Sequence, residues 1–363
     1  MIECRNLTKS YGKLEAVSDF SLHLEKHEFL SILGPSGCGK STLLRLIAGL
    51  EVPTQGQVLL QNREISGEKI ILPPEHRKFG MIFQDFALFP HLSVENNIAY
   101  GVSGSRNEKQ KRVNELLELV SLPHLAAKMP HQISGGEQQR IAVARALAPR
   151  PRLILMDEPF SNLDYQLRLQ LRRDIRDILK HEGVATIIVT HDQVEAITFS
   201  DRVILMHNGK LVQAGTPTEI YQYPKTLWAS SFVGEANHLP VEWQDSSLNS
   251  PFGLLAVPAE IGKETQILMV RPEDFRIEYA PDEEANGTVK TVDFSGSVQI
   301  VSVELKSGDM IQVSGSPHYL WSLKEPVRIT AERYLCFNSS GHSLEGFPEE
   351  LRAEVSSEKK RVI

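Results

Sequence analysis

An eight-residue stretch near the start of the chain has the pattern of a phosphate-binding loop. GPSGCGKS (34–41) matches G-x-x-x-x-G-K-[S/T] and lies between the apolar run FLSIL (29–33) and the helical pattern KSTLLRLIAGL (40–50). Glycines allow backbone N–H groups to converge on phosphate oxygens, and the helix N-terminus adds positive potential. The pattern places Lys40 on the β- and γ-phosphates, Ser41 on Mg²⁺ and Thr42 on the α-phosphate.

Two consecutive carboxylates follow a second apolar run, LILMDE (153–158). We expect a buried strand here, with Asp157 at its carboxyl end, where it can hold Mg²⁺ through water. Glu158 is the candidate general base for the water that attacks a phosphate. These two residues would complete the chemistry that the phosphate loop begins.

The segment ISGGEQQR (133–140) predicts a capped helix whose first turn can bind an anion. Ser134 and Glu137 fit the S-x-x-E capping box. The two glycines between them cost roughly 1 kcal/mol each relative to alanine in a helix. They leave the first N–H groups of the helix uncovered, which is what an anion site requires.

The elements that must position these residues alternate between strand and helix over the first ~235 residues. FLSIL (29–33), LILMD (153–157) and TIIVT (186–190) are continuous apolar runs of the kind found in parallel strands that are buried on both faces. The stripe Leu43, Leu44, Ile47 and Leu50 predicts a helix that ends near Gly49. The pattern indicates an α/β domain with a parallel sheet.

The sequence pattern changes near FVGEANHLP (232–240), where short β-like runs separated by turn residues begin. They are ILMV (267–270), FRIEY (275–279), GTVKTVDF (287–294), QIVSVELK (299–306), MIQVS (310–314) and VRITA (327–331). We therefore expect a small antiparallel β domain over 236–345, followed by a charged tail at 346–363.

Composition excludes several classes of protein. With 39 basic and 46 acidic residues among 363, the net charge is −7, which disfavours nucleic acid as a partner. The only cysteines, Cys4, Cys38 and Cys336, have no metal or disulfide spacing and fit a reducing compartment. No apolar run approaches the ~18 residues of a membrane span, and the polar start lacks the core of a signal peptide. We expect neither an integral membrane protein nor a secreted one, although docking on a membrane protein stays open.

Further motifs complete the set: Tyr11, Gln84 in FGMIFQD (79–85), SNLD (161–164) and His191 in VTHD (189–192). With the phosphate loop, ISGGEQQR and LILMDEP (153–159), they resemble, in their order along the chain, the motifs of the nucleotide-binding subunit of a bacterial ABC importer. The resemblance covers residues 1 to about 235 and continues into VRPED (270–274) and GTVKTVDFSGS (287–297). It implies an α/β P-loop NTPase domain with a helical signature subdomain at about 85–150, followed by an all-β, OB-like regulatory domain. The residues it assigns to ATP are Tyr11, Gly34, Pro35, Ser36, Gly37, Cys38, Gly39, Lys40, Ser41, Thr42, Gln84, Ser134, Gly135, Gly136, Glu137, Asp157, Asp164 and His191.

The same resemblance implies how these residues act. Glu158, His191, Gln84 and Lys40 would be catalytic, and Ser41, Gln84 and Asp157 would hold Mg²⁺. Two copies would face each other head to tail, each ATP lying between the phosphate loop of one and the signature helix of the other, which is the helix that begins within ISGGEQQR (133–140). Asp164 would communicate across that interface. Ile133, Glu137 and Asn162 depart mildly from the family pattern and bear on the rate of ATP hydrolysis.

The segment DFALFPHLSVENNIAYG (85–101) is apolar and aromatic for a stretch that should be exposed. Two interpretations stay open: ordinary packing of the helical subdomain, or a groove for a coupling helix of a membrane permease. Phe86, Phe89 and Pro90 are the candidate contacts in the second. The expected partners are the permease subunits and, indirectly, an extracytoplasmic solute-binding protein, at the cytoplasmic face of the inner membrane.

The cargo is the least determined property. The segment 85–101 and the stretch 232–240 look most like iron(III) importer ATPases, followed by polyamine, sulfate, thiamine and sugar systems. A soluble ABC ATPase acting on DNA or ribosomes is disfavoured, because the chain has a single motif set, no sustained heptads and an acidic balance. An exporter is disfavoured because exporters rarely carry the β domain.

Overall fold

The computed structural model describes residues 1–344 apart from Lys69, 162–164 and Ala256, and the side chains at 165 and 166 are also outside the description. The chain divides into two compact units, Met1–Ile220 and a second that begins at Tyr221. The boundary between the two units therefore lies before residue 235, where the change in sequence pattern suggested one. The predicted tail at 346–363 lies outside the described residues.

The first unit contains a parallel sheet and an antiparallel one. The antiparallel sheet has the order β2-β1-β4-β5, and the larger sheet has the order β10-β9-β3-β8-β7-β6. All pairs of the larger sheet are parallel except β9 with β10. The strands are β1 (Ile2–Tyr11), β2 (Leu14–Leu24), β3 (Phe29–Leu33), β4 (Gln55–Leu60), β5 (Arg63–Ser66), β6 (Phe79–Ile82), β7 (Leu153–Asp157), β8 (Ala185–Thr190), β9 (Arg202–His207) and β10 (Lys210–Gly215).

Helices follow the parallel strands, as the alternating sequence pattern predicts. The helix of the phosphate loop ends at a left-handed Gly49, whose N–H bonds back to the last turn. The helices are α1 (Lys40–Ala48), α2 (Pro74–Arg77), α3 (Val94–Ala99), α4 (Arg106–Leu119), α5 (Gly135–Leu147), α6 (Tyr165–His181), α7 (Gln193–Phe199), α8 (Pro217–Gln222), α9 (Leu227–Phe232) and α10 (Ala259–Glu264).

Two apolar cores hold the first unit together, and each carries one half of the predicted site. One core packs α1 between the antiparallel sheet and the parallel sheet, and it includes Leu43, Leu44 and Ile47. The other packs α3, α4, α5 and α6 together and includes Leu116, Ile141 and Ile175. The phosphate loop therefore belongs to the first core and the signature helix to the second.

The second unit contains antiparallel sheets, as its sequence predicts. They have the orders β11-β15-β21, β12-β13-β14 and β16-β20-β17-β18-β19. The core of the five-stranded sheet includes Val289, Val301 and Ile329. The strands are β11 (Asn237–Pro240), β12 (Glu242–Gln244), β13 (Ser247–Ser250), β14 (Gly253–Leu255), β15 (Ile267–Val270), β16 (Phe275–Tyr279), β17 (Gly287–Phe294), β18 (Gln299–Leu305), β19 (Met310–Gly315), β20 (Pro326–Ala331) and β21 (Leu335–Phe337).

Across the described part of the chain, every helix is too short or too polar to cross a membrane.

Candidate nucleotide-binding and catalytic site

The phosphate loop joins β3 to α1, and its path depends on glycine. Gly37 and Gly39 have φ angles of 78° and 106°, which other residues rarely adopt. A Cβ on Gly39 would lie 2.0 Å from the carbonyl oxygen of Ala16, and one on Gly34 would lie 2.2 Å from that of Met206. The loop can follow this path against its neighbours only because these positions lack a side chain.

Lys40 closes the loop on itself. Its Nζ donates hydrogen bonds of 2.9 Å to the carbonyl oxygens of both Gly34 and Pro35, and the residue is 4% exposed. Burial raises the pKa of the neighbouring Cys38 thiol despite the charge of Lys40, so Cys38 is a protonated, buried side chain. The hydrogen bonds to the Gly34 and Pro35 carbonyls hold the Lys40 ammonium group, so the phosphate loop is preformed.

Ser41 and Asp157 bring β7 to the phosphate loop. The Ser41 hydroxyl donates a 2.7 Å hydrogen bond to Asp157 Oδ1. Burial raises the pKa of Asp157, and the nearby Glu158 adds to this, while Ser41 and Arg45 oppose it. A half-buried carboxylate beside a hydroxyl is a pair of oxygen donors of the kind that Mg²⁺ prefers.

Glu158 and His191 meet at the same edge of the sheet. Their strands β7 and β8 are parallel neighbours, so the residues that follow them emerge side by side. His191 Nδ1 lies 3.0 Å from Glu158 Oε2, with the imidazole half exposed and the carboxylate largely buried. Glu158 has a left-handed backbone (φ 44°), and its N–H donates to the carbonyl of Val189. The structure thus joins the predicted base to the predicted histidine.

The signature helix begins with the predicted capping box. The N–H of Ser134 donates to Glu137 Oε2 (2.7 Å), and the N–H of Glu137 donates to Ser134 Oγ (3.4 Å). These contacts with Ser134 lower the pKa of Glu137. Gly136 also has a packing role that the sequence did not reveal, because a Cβ there would lie 3.1 Å from Leu167 and Leu171 of α6.

The remaining predicted residues are Tyr11, Gln84 and Asp164, of which the structure describes the first two. Tyr11 ends β1, is 45% exposed, and has Lys9 Nζ 4.9 Å from its ring centroid. Gln84 is exposed just beyond β6, a neighbour of β7, and so lies at the same edge of the sheet as Asp157. Asp164, with Asn162, lies outside the described residues.

The segment that follows Gln84 is partly core and partly surface. Phe86 is 7% exposed and belongs to the core of the helical subdomain, so packing accounts for this residue. Phe89 is half-buried against Tyr100, at a ring-centroid distance of 4.7 Å, whereas Pro90 is exposed. Phe89, Pro90 and Tyr100 are the surface that remains for a partner.

Sequence reasoning missed the side chains that hold these loops. Arg145 of α5 donates to the carbonyls of Phe86 (3.0 Å) and Ala87 (2.5 Å). Arg172 of α6 donates to Asp192, the residue after the predicted histidine (2.6 Å). The partners are separated by at least 20 residues, and the chain between them gives no signal that could have paired them.

Comparison with known proteins agrees with this geometry. The model of the ABC transporter family matches residues 17–161, and that of the TOBE domain matches residues 268–338. An iron(III) import ATP-binding protein of Pectobacterium atrosepticum is 40% identical over 91% of this chain and 97% of its own length. A putrescine transport ATP-binding protein of Escherichia coli is 41% identical over 86% of each chain.

The chain belongs to the ABC transporter family. A family cassette solved as a post-hydrolysis dimer with ADP and Pi is 33% identical, with a TM-score of 0.52 over 60% of this chain and 99% of its own. This ABC protein is therefore an ATP-binding ATPase with a TOBE-type β domain at its C-terminal end. The predicted family and fold class are both confirmed.

Proposed function

We propose that this chain is the ATP-hydrolysing subunit of an importer and works as a homodimer at the cytoplasmic face of the inner membrane. The 3.0 Å contact between Glu158 and His191 beside a preformed phosphate loop carries the proposal, because it joins a base to a polar partner where the terminal phosphate would lie. The import ATP-binding proteins among its relatives support the direction of transport.

The phosphate loop binds ATP through its backbone and Lys40. The N–H groups at the start of α1 point toward the phosphates, and the helix dipole favours their negative charge. Lys40 exchanges its bonds to the Gly34 and Pro35 carbonyls for bonds to phosphate oxygens. Tyr11, exposed at the end of β1, stacks on the adenine.

Ser41 and Asp157 are the residues that would hold Mg²⁺, with the side-chain oxygen of Gln84 as a third donor. Bound there, Mg²⁺ would neutralise charge on the β- and γ-phosphates. The oxygen pair fits the ion, since a buried carboxylate whose pKa burial raises gains most from a nearby cation.

Glu158 acts as the general base and His191 orients the reacting groups. The carboxylate accepts a proton from the attacking water, while the imidazole donates to the terminal phosphate. Their direct contact holds both side chains in place before ATP arrives.

The second half of the site comes from the partner subunit. Ser134 and the N–H groups of Gly135 and Gly136 cover the phosphates from the opposite side, where they stabilise the charge that Lys40 does not reach. ATP then joins the two subunits, and its hydrolysis releases them. Asp164 communicates between the two ATP sites across the interface. The half-buried Phe89 and the exposed Pro90 and Tyr100 transmit this movement to a permease that works with an extracytoplasmic solute-binding protein.

Iron(III) is the cargo that we propose first, and polyamines are the second candidate. Relatives named for iron(III) import and for putrescine transport have nearly equal identity, 40% and 41%. The ATPase does not contact the cargo, so only transport itself can distinguish them.

The test uses Glu158→Gln, which keeps the size of the side chain and removes the base. We expect ATP turnover to fall by at least about a hundredfold, and ATP to trap a dimer that size-exclusion chromatography resolves. Glu260→Gln, an exposed change in α10, should leave both properties at wild-type values. Turnover near wild type in Glu158→Gln would refute the assigned base.

A deletion strain identifies the cargo. We expect loss of radiolabelled iron(III) uptake, restored by the wild-type gene and by Glu260→Gln but not by Glu158→Gln, with putrescine and sulfate uptake unchanged. Loss of putrescine uptake alone would keep the importer mechanism and replace iron(III) by a polyamine. Unchanged uptake of all three would reject both cargoes.

A further inference from the structure

Asp192 follows the catalytic histidine and is held by two arginines of α6. Its Oδ2 accepts hydrogen bonds from Arg172 (2.6 Å) and Arg168 (3.3 Å), while its Oδ1 accepts from the N–H of Glu195 and caps α7 (2.8 Å). Burial alone raises the pKa of Asp192, but the Glu195 N–H and Arg172 outweigh it, so the pKa lies below its usual value. Asp192 is thus an anion fixed from two sides.

The backbone on either side of His191 is tied to the same cluster. The N–H of Asp192 donates to the Thr190 hydroxyl (3.0 Å), which in turn donates to Glu195 Oε2 (2.7 Å). The imidazole itself is 51% exposed and contacts Glu158. The orientation of the His191 ring therefore depends on its chain neighbours Thr190 and Asp192, which these hydrogen bonds hold in place.

The arginines reach the loop of the catalytic carboxylate as well. Arg172 is 4% exposed, with its guanidinium 5.9 Å from the centroid of the Phe160 ring. Arg168 donates to the carbonyl of Ser161 (3.3 Å). Phe160 and Ser161 lie two and three residues after Glu158, so α6 connects the loop that carries the base with the loop that carries the histidine.

A purely stabilising role does not require this arrangement. Burying charged groups costs desolvation that their attraction often fails to recover, so a buried ion pair is weak support for stability. The pair Arg176–Asp201 (3.2 Å) is formed by the next turn of α6 at more exposed positions. Of these two pairs of α6, the less exposed one, Arg172–Asp192, lies beside the catalytic histidine.

We propose that Asp192 is a positioning residue, which Arg172 holds so that the His191 ring meets Glu158 and the terminal phosphate of ATP. This inference rests on the proposed function, since it concerns the orientation of His191, a residue that the proposed ATPase mechanism uses. It adds to that mechanism a connection through α6 between the two catalytic loops.

The test begins with Asp192→Asn, which keeps an oxygen to cap α7 but loses the charge that binds Arg172. We expect kcat for ATP to fall about tenfold while KM changes less than about threefold, because the residue acts on orientation and not on binding. Arg172→Met should have the same effect, and Arg172→Lys should restore part of kcat, since lysine keeps the charge without the planar fork. Arg176→Met is the matched control on the same helix and should retain wild-type kcat.

A double variant separates positioning from general damage. If Asp192 acts through His191, adding Asp192→Asn to His191→Ala should lower kcat no further than His191→Ala alone. An equal additional loss in the double variant would overturn the proposal. So would a loss in Arg176→Met as large as that in Arg172→Met.

An NMR measurement tests the same claim without turnover. The ring signal of His191, assigned by its absence in His191→Ala, should shift in Asp192→Asn and Arg172→Met but not in Arg176→Met. If the wild-type protein failed to hydrolyse ATP, the proposed function would fall while this signal still decided the role of Asp192. An unchanged ring signal in Asp192→Asn would overturn the positioning role.

Discussion

The loops after β3 and β8 lie side by side, since the two strands are parallel neighbours, yet they are shaped in different ways. The loop after β3 takes its path from glycines, with left-handed backbone at Gly37 and Gly39. The loop after β8 contains no glycine between Thr190 and Asp192 and is held by side chains of α6 and α7. One loop is determined by local sequence and the other by tertiary contacts.

This difference predicts which changes each loop tolerates. A loop shaped by glycine fails when a Cβ is added where backbone approaches closely, and no distant residue can compensate. A loop shaped by charged side chains responds instead to the protonation of those side chains. Substitutions in each loop, and in a third segment that combines both features, test the comparison.

The largest effect is expected for Gly39→Ala. A Cβ at this position would lie 2.0 Å from the backbone oxygen of Ala16, and the φ of 106° is strained for alanine. We expect ATP affinity to fall at least about a hundredfold, measured with a fluorescent ATP analogue. Gly37→Ala is the matched control, because its Cβ would meet open space and only the left-handed backbone costs about 1 kcal/mol. Similar ATP affinity in the two variants would contradict the steric argument.

The second prediction concerns the loop after β8 and its pH dependence. Burial raises the pKa of Glu195 to about 7, against a usual value of 4.5, and Asp192 adds to this while Thr190, Arg172 and Arg168 oppose it. Between these two pH values only the unfolded chain loses the proton, so stability falls as pH rises. The contribution of Glu195 to stability is fully present below pH 4.5 and falls no further above about pH 7.

Glu195→Gln removes this titration and keeps an acceptor for the Thr190 hydroxyl. The variant should gain on the order of 2 kcal/mol of unfolding free energy relative to wild type between pH 5 and pH 8. Urea unfolding at the two pH values measures it. Glu182→Gln, in the ion pair with Arg112, is the control that should show no such gain. A constant difference between Glu195→Gln and wild type at both pH values would contradict a buried, protonated Glu195.

What the sequence predicted follows the same division between local and tertiary determinants. The phosphate loop, the strand that carries Asp157 and the capping box of Ser134 each depend on residues within ten positions, and the structure contains all three. The contacts of Arg145 and Arg172 were not predicted, because they join residues whose separation only the packed helices determine.

The β elements show the same limit. The runs at 267–270, 275–279, 287–294 and 299–306 correspond to β15, β16, β17 and β18 within a residue. The antiparallel sheet of β1, β2, β4 and β5 was not predicted, since its strands alternate buried and exposed residues irregularly around several register shifts. Periodicity is least informative where register shifts accumulate, although the single shift between Val289 and Thr291 did not hide β17.

The segment after β6 supplies the smallest and most specific test. Ala87 is exposed and left-handed at a φ of 48°, a conformation that glycine would adopt without strain. Arg145 binds the carbonyls of Phe86 and Ala87, so a tertiary contact here imposes the backbone that glycines supply in the phosphate loop.

Ala87→Gly should therefore raise the free energy of unfolding by about 0.5 kcal/mol, because relief of roughly 1 kcal/mol of strain exceeds the added entropy of the unfolded chain. Chemical denaturation measures the change. Ala127→Gly, at an exposed alanine outside the left-handed region, is the matched control and should lower stability by about 0.5 kcal/mol. Equal losses in the two variants would mean that Arg145 holds no strained turn at Ala87, and the contrast between glycine-shaped and contact-shaped loops would then be limited to the loops after β3 and β8.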